Sequence, residues 1–590
     1  MGELECFYFI KEKIMEKKPR KKLKKAKFET DKLKGKTKLL HSRNFSKWGM
    51  DLHPQVSIIS GLLVLFFIGI TIVDPVAANK ILNGIKDNIT NNWNWFFIMS
   101  ANIFLIFPVY LMSSKLGEVR LGGPKAKPEY TNFGWYSMLI SAGMGIGLMF
   151  WSVGEPLYHA TSKMPITPGN SVAEALGITF YHWGFHPWGI YALVALSLSF
   201  FTYNRGLPLS LRSVFYPIFK DKVFGWVGDI IDITAVISCL FGLATSLGFG
   251  SQQINAGLNF LFGVPQTPKV QVIIIVVITF IATMSVVSGI GKGVRILSEL
   301  NMKVAAVFLI MILVLGPTLY IVRGFNNGLG FYLNNLISIS FFTENGNKWQ
   351  GSWTIFYWAW WISWSPFVGM FIARISKGRT VREFVFAILV VPTMLSFIWM
   401  STFGGTALFQ NSIDGGALLE AVNDNLATSL FVMIQSLDIS SFLKTTLSVI
   451  GTFLVVSFFV TSSDSGSLVI DNLTSGGKTD SPVPQRIFWA VMEGAIAVSL
   501  LIAGGKEALN ALQTGVILSG LPFTFMLLAM AYSLHVGLRS DLKKLKQYRE
   551  DKLLNKIFSE KIHVDFDKLE VKKEPKKILR KDILKVLKKN

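Results

Sequence analysis

Long uninterrupted stretches of apolar residues dominate this chain and restrict it to a membrane-spanning architecture. Residues 56–73 and 270–287 contain no charged side chain, and an apolar helix of about 17–25 residues spans the hydrocarbon core of a bilayer. Only 16% of the 590 residues are charged, against roughly 25% in soluble domains. The first 55 residues are lysine-rich and lack a secretory signal pattern. The sequence therefore predicts a polytopic all-α membrane protein.

The positive charge of the chain is concentrated in its two ends. Residues 1–55 hold 16 Lys/Arg against 7 Asp/Glu, and residues 539–590 hold 18 against 9, within a net charge of +22. Neither end interleaves aromatic residues as nucleic-acid-binding segments do. Basic ends beside membrane helices are typical of cytoplasmic segments that face anionic lipid headgroups. We therefore expect a membrane domain at 56–540 between basic tails at 1–55 and 541–590, with anionic lipids rather than nucleic acid as partners.

Twelve membrane spans are predicted, and the charges of the loops orient them. Lysine and arginine recur after the second, fourth, sixth and eighth spans, whereas the loop after the ninth is acidic. The positive-inside rule places the basic loops and both termini in the cytoplasm. The predicted spans start near Val56, Trp95, Gly134, Trp183, Asp229, Val270, Val304, Trp353, Phe384, Leu443, Phe488 and Ala511.

Two of the predicted spans carry helix-breaking residues. Gly143, Gly145 and Gly147 alternate in the third span, and each interior glycine costs about 1 kcal/mol relative to alanine. In the eighth span, Pro366 removes a helical hydrogen bond. Taken singly, the glycines could serve close helix packing and the proline could give a harmless kink. Their offset of five spans instead favours two inverted repeats with two broken helices around a central site.

Aromatic residues are concentrated in the eighth span and at the start of the fourth. Trp353, Tyr357, Trp360 and Trp364 recur at helical spacing and share one face. A belt at the membrane interface is the alternative for such residues, but it does not explain indoles one to two turns deeper. Indole faces in a low dielectric bind cations, at about 0.5–2 kcal/mol per face. The fourth span offers Trp183, Trp188 and Tyr191 near its start, and Trp360, Trp361 and Trp364 lie deep in the eighth, so this aromatic cluster suits a quaternary ammonium group.

Acidic residues are predicted to be absent from the cores of the third, fourth and eighth spans, where a primary amine or a metal ion would be expected to need one. If the solute carries its own carboxylate, backbone N–H groups freed between Gly143 and Gly147 could receive it at a half-helix N-terminus. His182 and His186 are spaced for a shared metal, but no Cys or carboxylate cluster lies nearby in sequence. We predict that they line the entry to the aromatic site rather than bind a metal, and we expect no cofactor.

These motifs resemble those of the betaine–choline–carnitine transporter family. The most specific strings are residues 141–156, with their glycine run and Glu155-Pro156, and residues 353–366, which end in Trp364-Ser365-Pro366. The resemblance covers roughly residues 50–540. It implies a LeuT-like fold of two inverted five-helix repeats, spans three to seven and eight to twelve, after two extra helices. It also implies a homotrimer in a bacterial-type cytoplasmic membrane, alternating access, and an aromatic box formed by the six residues named above.

The resemblance further implies sites for coupling ions. A sodium ion would lie between the broken third span and the tenth, and hydroxyl ligands there suit a hard cation. Back-bonding of those hydroxyls within their own helix is the alternative. A second family site corresponds here to Cys239 and Leu243 beside Phe367, and the first two cannot ligate sodium, so two-sodium stoichiometry is not supported. The implied ligands of the first ion are Ser141, Met144, Phe458, Thr461 and Ser462.

The residue at position 147 bears on the substrate. Family members that move choline with protons tend to carry Asp there, so Gly147 favours a zwitterion such as glycine betaine, with proline, ectoine, carnitine and choline left open. We expect a sodium symporter that imports such a solute for osmoprotection, whose C-terminal tail could act as an osmosensor. The alternatives are a sodium-independent exchanger or a proton symporter for carnitine or choline. A channel or a membrane-embedded enzyme is disfavoured, because the motifs of neither are present.

Overall fold

The computed structural model describes residue 33 and residues 35–559, apart from 144, 163, 168, 170, 288–290 and 479–481. Residues 1–32 and 560–590 of the two predicted tails lie outside the described residues, so the cytoplasmic placement of the tails and the osmosensor role stay predictions. Within the described part of the chain the regular structure is helical, with isolated bridges pairing Phe45 with Leu52 and Arg120 with Thr380. The all-α fold class is confirmed.

Every predicted span start lies within or next to a helix. Two further long helices, α2 and α11, were not predicted because lysine, arginine and asparagine interrupt their apolar pattern. The helices with eight or more residues are α1 (Pro54–Val73), α2 (Pro75–Asn92), α3 (Asn94–Ser113), α4 (Asn132–Gly143), α5 (Ile146–Thr161), α6 (Val172–Trp183), α7 (Phe185–Arg205), α8 (Trp226–Phe262), α9 (Pro268–Val287), α10 (Gly291–Leu315), α11 (Thr318–Phe341), α12 (Phe356–Ile375), α13 (Val381–Ile413), α14 (Ala417–Asp424), α15 (Ser429–Ser436), α16 (Ser441–Thr474), α17 (Val483–Gly504) and α18 (Ala508–Ser559).

Length and composition allow ten helical segments of the described residues to cross a membrane, with α6 and α7 counted as one, and the bent pair α4 and α5 makes an eleventh. The predicted eighth span is not among them because its tryptophan, serine and proline residues lower its mean hydropathy. That helix, α12, has 20 residues and is therefore about 30 Å long. It packs in the middle of the bundle against α7, α8 and α18. Counting α12 gives the twelve predicted spans.

Burial separates the helices of the centre from those of the periphery. In the most apolar window of α6 and α7, 94% of the residues are buried, against 28% in α9 and 22% in α10. Apolar side chains on the peripheral helices are correspondingly exposed, among them Phe66, Phe280 and Ile310. An apolar surface of this extent suits contact with lipid tails rather than water. The aromatic helix α12 and the second half of the broken span, α5, thus lie inside a shell of lipid-facing helices.

The expected break at Pro366 is wrong, because α12 continues through this residue as one helix. Proline lacks the N–H that would bond to the carbonyl of Ile362. The Ser365 hydroxyl donates to that carbonyl instead, at 2.7 Å, so no helical acceptor is left unpaired at this turn. Of the two expected breaks, the described residues contain the one between α4 and α5. The inverted-repeat organisation stays a prediction.

Candidate functional site

A cavity lies at the break between α4 and α5, enclosed by α7, α12 and α13. Its volume, including the space open to solvent, is about 480 Å³, which suits a small solute. All nine residues predicted to bind substrate line it, and the sequence analysis did not predict four further lining residues. The full lining is Ala142, Gly143, Gly145, Gly147, Leu148, Trp183, Pro187, Trp188, Tyr191, Trp360, Trp361, Trp364 and Ser396.

The break leaves the first turn of α5 open toward the cavity. The axes of α4 and α5 differ by 62°, and Gly145, which precedes α5, is extended with φ −178° and ψ −173°. A helix leaves its first N–H groups without intrahelical acceptors, and glycine has no side chain to cap them. These donors coincide with the positive end of the helix dipole. The geometry can therefore receive an anionic group of a bound solute.

Four aromatic rings form two walls of the cavity. The rings of Trp360 and Trp361 stack with centroids 4.8 Å apart and an interplanar angle of 14°. Trp183 stands nearly perpendicular to Trp361, at 4.9 Å and 73°. Tyr191 meets Trp361 edge to face at 6.3 Å. A cation among these rings can contact several π faces at once.

The three indole N–H groups that α12 contributes to the aromatic box are bonded to other protein groups. Trp360 Nε1 donates to Ser246 Oγ at 3.2 Å, and Trp361 Nε1 donates to the carbonyl oxygen of His182 at 3.0 Å. Trp364 Nε1 donates to the carbonyl oxygen of Gly242 at 2.8 Å. These three hydrogen bonds hold the indole rings of α12 in place.

Gly143 and Gly147 are glycines for a steric reason as well as for the break. A Cβ atom on Gly147 would lie 2.9 Å from Trp360 Cη2 and 3.0 Å from Trp183 Cη2. One on Gly143 would lie 2.8 Å from Trp188 Cζ2. By contrast, a Cβ atom on Gly145 would meet no described atom within 4 Å. Two of the three glycines therefore make room for the indoles that line the cavity.

The prediction that the third-span core contains no acidic residue is wrong. The second half of the broken span, α5, continues to Thr161, and Glu155 in its middle is fully buried. Its carboxylate accepts hydrogen bonds from Trp183 Nε1 at 2.7 Å and from the Tyr357 hydroxyl at 2.5 Å. The i, i+4 spacing of Glu155 and His159 was the available sequence signal. The carboxylate does not line the cavity but lies behind one of its indoles.

The two histidines noted in the sequence have different partners in the structure. His186 Nε2 lies 3.0 Å from Asn102 Oδ1, whereas His182 joins Glu155 and His159, with ligand atoms of all three within 4.8 Å of one another. Neither histidine lines the cavity. Because Trp183 and Tyr357 already donate to the Glu155 carboxylate, we assign this cluster to hydrogen bonding rather than to a metal.

Four of the five residues of the predicted sodium site lie among the described residues. Met144 lies outside the described residues, and Ser141 is half-buried in the last turn of α4. On α16, the Thr461 hydroxyl lies 2.9 Å from the carbonyl oxygen of Ser457 and 3.3 Å from that of Phe458. This is the back-bonded arrangement considered as the alternative. The sodium site, including the role of Ser462, stays a prediction.

The start of α5 nevertheless lies close to the middle of α16. Side-chain atoms of Ile146 and Phe459 both come within 3.0 Å of the Cβ position of Gly250 on α8. The second half of the broken third span, α5, and the helix α16 therefore both contact α8 at Gly250. The predicted ion would lie between that broken span and α16.

The second predicted ion position is filled by apolar groups. Cys239 and Leu243 are both fully buried on α8, and Cys239 is a free cysteine close to the backbone of Phe367. The Leu243 side chain lies against Gly466 of α16, where its Cδ1 atom is 2.6 Å from the Cβ position. Cys239 therefore lies next to Phe367, but neither Cys239 nor Leu243 offers a hard oxygen ligand from its side chain.

Comparison with known proteins agrees with the geometry. The sequence model of the betaine/carnitine/choline family of transporters matches residues 55–543. The chain is 50% identical over 517 residues to the glycine betaine/proline/choline/ectoine transporter of Vibrio parahaemolyticus, covering 85% of this chain and 89% of that protein. It is 49% identical over 506 residues to glycine betaine transporter 1 of the same organism, covering 84% and 96%. It is 42% identical over 505 residues to the glycine betaine transporter of Acinetobacter baylyi, covering 85% and 75%.

Proposed function

Since this chain belongs to the betaine/carnitine/choline transporter family, we propose that it imports glycine betaine by sodium symport with alternating access. Membership makes it a multi-pass membrane transporter rather than an enzyme. The relatives named above are transporters of glycine betaine, and one of them also of proline, choline and ectoine. We assign the binding of glycine betaine to the cavity between α4, α5 and α12. Its import would protect the cell against osmotic stress.

The aromatic box is the observation that carries the substrate class. Among the described residues, its lining contains no carboxylate and no basic side chain. A trimethylammonium group needs neither, because its positive charge is spread over methyl groups that cannot donate conventional hydrogen bonds. Such a group is held by π faces, and quaternary ammonium recognition by aromatic cages is the established use of this contact. The stacked Trp360 and Trp361, with Trp183 packed edge to face against Trp361, supply aromatic surface of this kind.

The start of α5 supports a zwitterion over a simple cation. Backbone N–H groups at a helix N-terminus favour an anion, and Gly145, Gly147 and Leu148 line the cavity at this end. A solute with an ammonium group at one end and a carboxylate at the other would contact both the box and these donors. Glycine betaine has this form, whereas choline lacks the carboxylate.

Uptake by purified protein in proteoliposomes tests the substrate. We expect radiolabelled glycine betaine to be accumulated with at least about tenfold higher kcat/KM than choline, because losing the carboxylate contact costs about 1.5 kcal/mol or more. Carnitine, proline and ectoine complete the panel, and protein-free liposomes are the control. Equal or better uptake of choline would contradict the assignment of the α5 N-terminus to a carboxylate.

Sodium coupling is proposed from the oxygen-bearing residues between α4 and α16. The proposed ion is bound by carbonyls of Ser141, Met144 and Phe458 and by hydroxyls of Thr461 and Ser462. In such a site the Thr461 hydroxyl would keep its hydrogen directed at the carbonyl of Ser457 and offer a lone pair to sodium. The proximity of the start of α5 to Phe459 is compatible with an ion shared by the two helices.

Replacing Thr461 with alanine is expected to raise the sodium concentration for half-maximal uptake about tenfold, since a contact to a charged group is worth about 1.5 kcal/mol. The matched control is Thr452→Ala on the same helix, because Thr452 back-bonds to Ser448 at 2.8 Å in the same way. If Thr461 only back-bonds, the two variants will behave alike. Uptake that is equally fast with potassium in place of sodium would refute symport altogether.

The setting of the transporter is proposed on the same basis. We place it in a bacterial-type cytoplasmic membrane with both termini in the cytoplasm, because lysine and arginine follow alternate spans. Anionic lipid would meet the basic tails. A homotrimer is the assembly that the resemblance implies, and crosslinking of the protein in its native membrane would measure it.

A further inference from the structure

The most completely bonded side chain next to the aromatic box is the carboxylate of Glu155. It lies at the junction of α5, α6 and α12 and is fully buried. Oε1 lies 2.7 Å from His182 Nδ1 and 3.2 Å from His159 Nε2, while Oε2 accepts from Trp183 and Tyr357. A carboxylate has about four lone-pair positions. Four partners therefore saturate Glu155 in its ionised form.

Several of these contacts lead directly to the box. Trp183 lines the cavity. The backbone carbonyl of His182 holds Trp361 Nε1 at 3.0 Å, and the ring of Tyr357 lies nearly parallel to that of Trp361, with centroids 5.9 Å apart. Glu155 thus holds the ring of Trp183 directly and is linked to Trp361 through His182 and Tyr357, although it does not line the cavity itself.

The hydrogen bond from Trp183 to Glu155 also changes the electrostatics of the indole face that meets the solute. An N–H group that donates to a carboxylate is polarised, and hydrogen bonds strengthen one another in a low-dielectric interior. Electron density pushed into the indole makes its face more negative, and a more negative face attracts a cation more strongly. The negative charge itself lies one ring away, in a buried region where Coulomb attraction is only weakly screened.

We propose that Glu155 is a positioning residue that acts through Trp183 to make the box selective for positively charged methylated groups. The inference rests on the proposed function of the cavity, because it concerns how the same site distinguishes an ammonium group from a neutral group of equal shape. A carboxylate is present near the site, but it lies behind the indole of Trp183 rather than in the cavity. A solute therefore gains the attraction without a competing carboxylate inside the cavity.

A pair of solutes that differ only in charge tests this. Glycine betaine and 3,3-dimethylbutanoate have the same shape, with a neutral carbon in the place of the quaternary nitrogen. For Glu155→Gln we expect the affinity for glycine betaine to fall about tenfold, and that for 3,3-dimethylbutanoate to change less than about twofold. Inhibition of radiolabelled uptake in proteoliposomes measures both. An equal loss for the two solutes would mean that Glu155 only supports the fold, and would overturn the proposal.

Three further variants show whether a loss of affinity comes from misfolding. Trp183→Phe keeps an aromatic ring and Glu155 but removes the N–H donor, so it is expected to lose the same preference for the charged solute. Combined with Glu155→Gln, it should add little further loss of affinity, because the effects of coupled residues are not additive.

Glu174→Gln is the matched control. Glu174 is a second buried glutamate, on the same helix as Trp183, but it accepts from Thr167 and the backbone of Gly169. Loss of charge selectivity in Glu174→Gln would contradict the role assigned to Glu155.

Failure of this inference can be distinguished from failure of the proposed function. If the wild-type protein transports choline instead of glycine betaine, the same comparison uses choline and 3,3-dimethyl-1-butanol, and the selectivity of Glu155→Gln is still measurable. A metal bound by Glu155, His159 and His182 would make wild-type transport sensitive to a membrane-permeant chelator. That result would overturn the assignment of the carboxylate to the indole.

Discussion

Replacing Trp360 and Trp361 together with leucine is expected to weaken solute binding roughly a thousand-fold. Each desolvated indole face contributes about 2 kcal/mol to the binding of a cation, and two such faces correspond to three powers of ten in Kd. Leucine retains part of the apolar volume but has no π face. Binding is measured by displacement of radiolabelled glycine betaine from purified protein.

The matched control for the tryptophan prediction is Trp358→Leu. Trp358 lies on the same helix and is fully buried, but its ring contacts Tyr181 at 5.0 Å and His186 at 5.1 Å instead of the cavity. It therefore reports the loss of packing without the loss of a cation contact. A double Phe variant at 360 and 361, which keeps two weaker π faces, should bind with intermediate affinity. If the leucine variant is folded and its Kd lies within threefold of wild type, the aromatic box does not bind the solute.

Replacing Gly147 with alanine is expected to lower kcat/KM for uptake by about a hundredfold. The added Cβ atom would lie 2.9 Å from Trp360 and 3.0 Å from Trp183, so both rings must shift. Overpacking of a closely packed site costs about 1–3 kcal/mol, and two rings displaced from one ligand place this substitution at the upper end. Initial rates of uptake at several solute concentrations measure the effect.

Gly145→Ala provides the comparison for Gly147→Ala. It lies two residues away on the same break, has the extended backbone that any residue adopts, and has open space where the Cβ atom would be placed. We expect its kcat/KM to remain within about threefold of wild type, because alanine keeps the backbone N–H. Equal loss in both variants would show that the break needs glycine for backbone freedom alone, and that the ring contacts of Gly147 are not decisive.

Much of the candidate site could be predicted because its residues occur in short local patterns. The alternating glycines of 143, 145 and 147 predicted the break between α4 and α5, and the tryptophans of α12 predicted a shared helical face. Pro366 was misjudged by the same reasoning, because its effect depended on the Ser365 hydroxyl, which bonds to the Ile362 carbonyl oxygen left without its usual donor. A local pattern predicts a helix break only if no neighbouring side chain replaces the lost bond.

The contacts that orient the box could not be predicted, because they join residues far apart in the chain. Glu155 meets Trp183 across 28 positions and Tyr357 across 202, and Trp360 meets Ser246 across 114. Nothing in the spacing of these residues indicates which carboxylate, hydroxyl or carbonyl each indole will find. The sequence also gives no sign that Trp183 and Trp360 lie so close to Gly147 that a side chain there would have no room.

The sequence by itself determined that this chain is an all-α membrane protein with an aromatic cluster suited to a quaternary ammonium group. A bilayer requires each span to be apolar over a known length and to form its backbone hydrogen bonds internally. Both requirements are met by residues close together in the chain, so the sequence alone shows where they are fulfilled. Only the tertiary structure decided that, among the described residues, the cavity is lined by indoles without acidic side chains, with the carboxylate of Glu155 held behind Trp183. Helix packing settles such placement through contacts between distant segments, and a buried carboxylate is stable only where those segments bring enough donors to it.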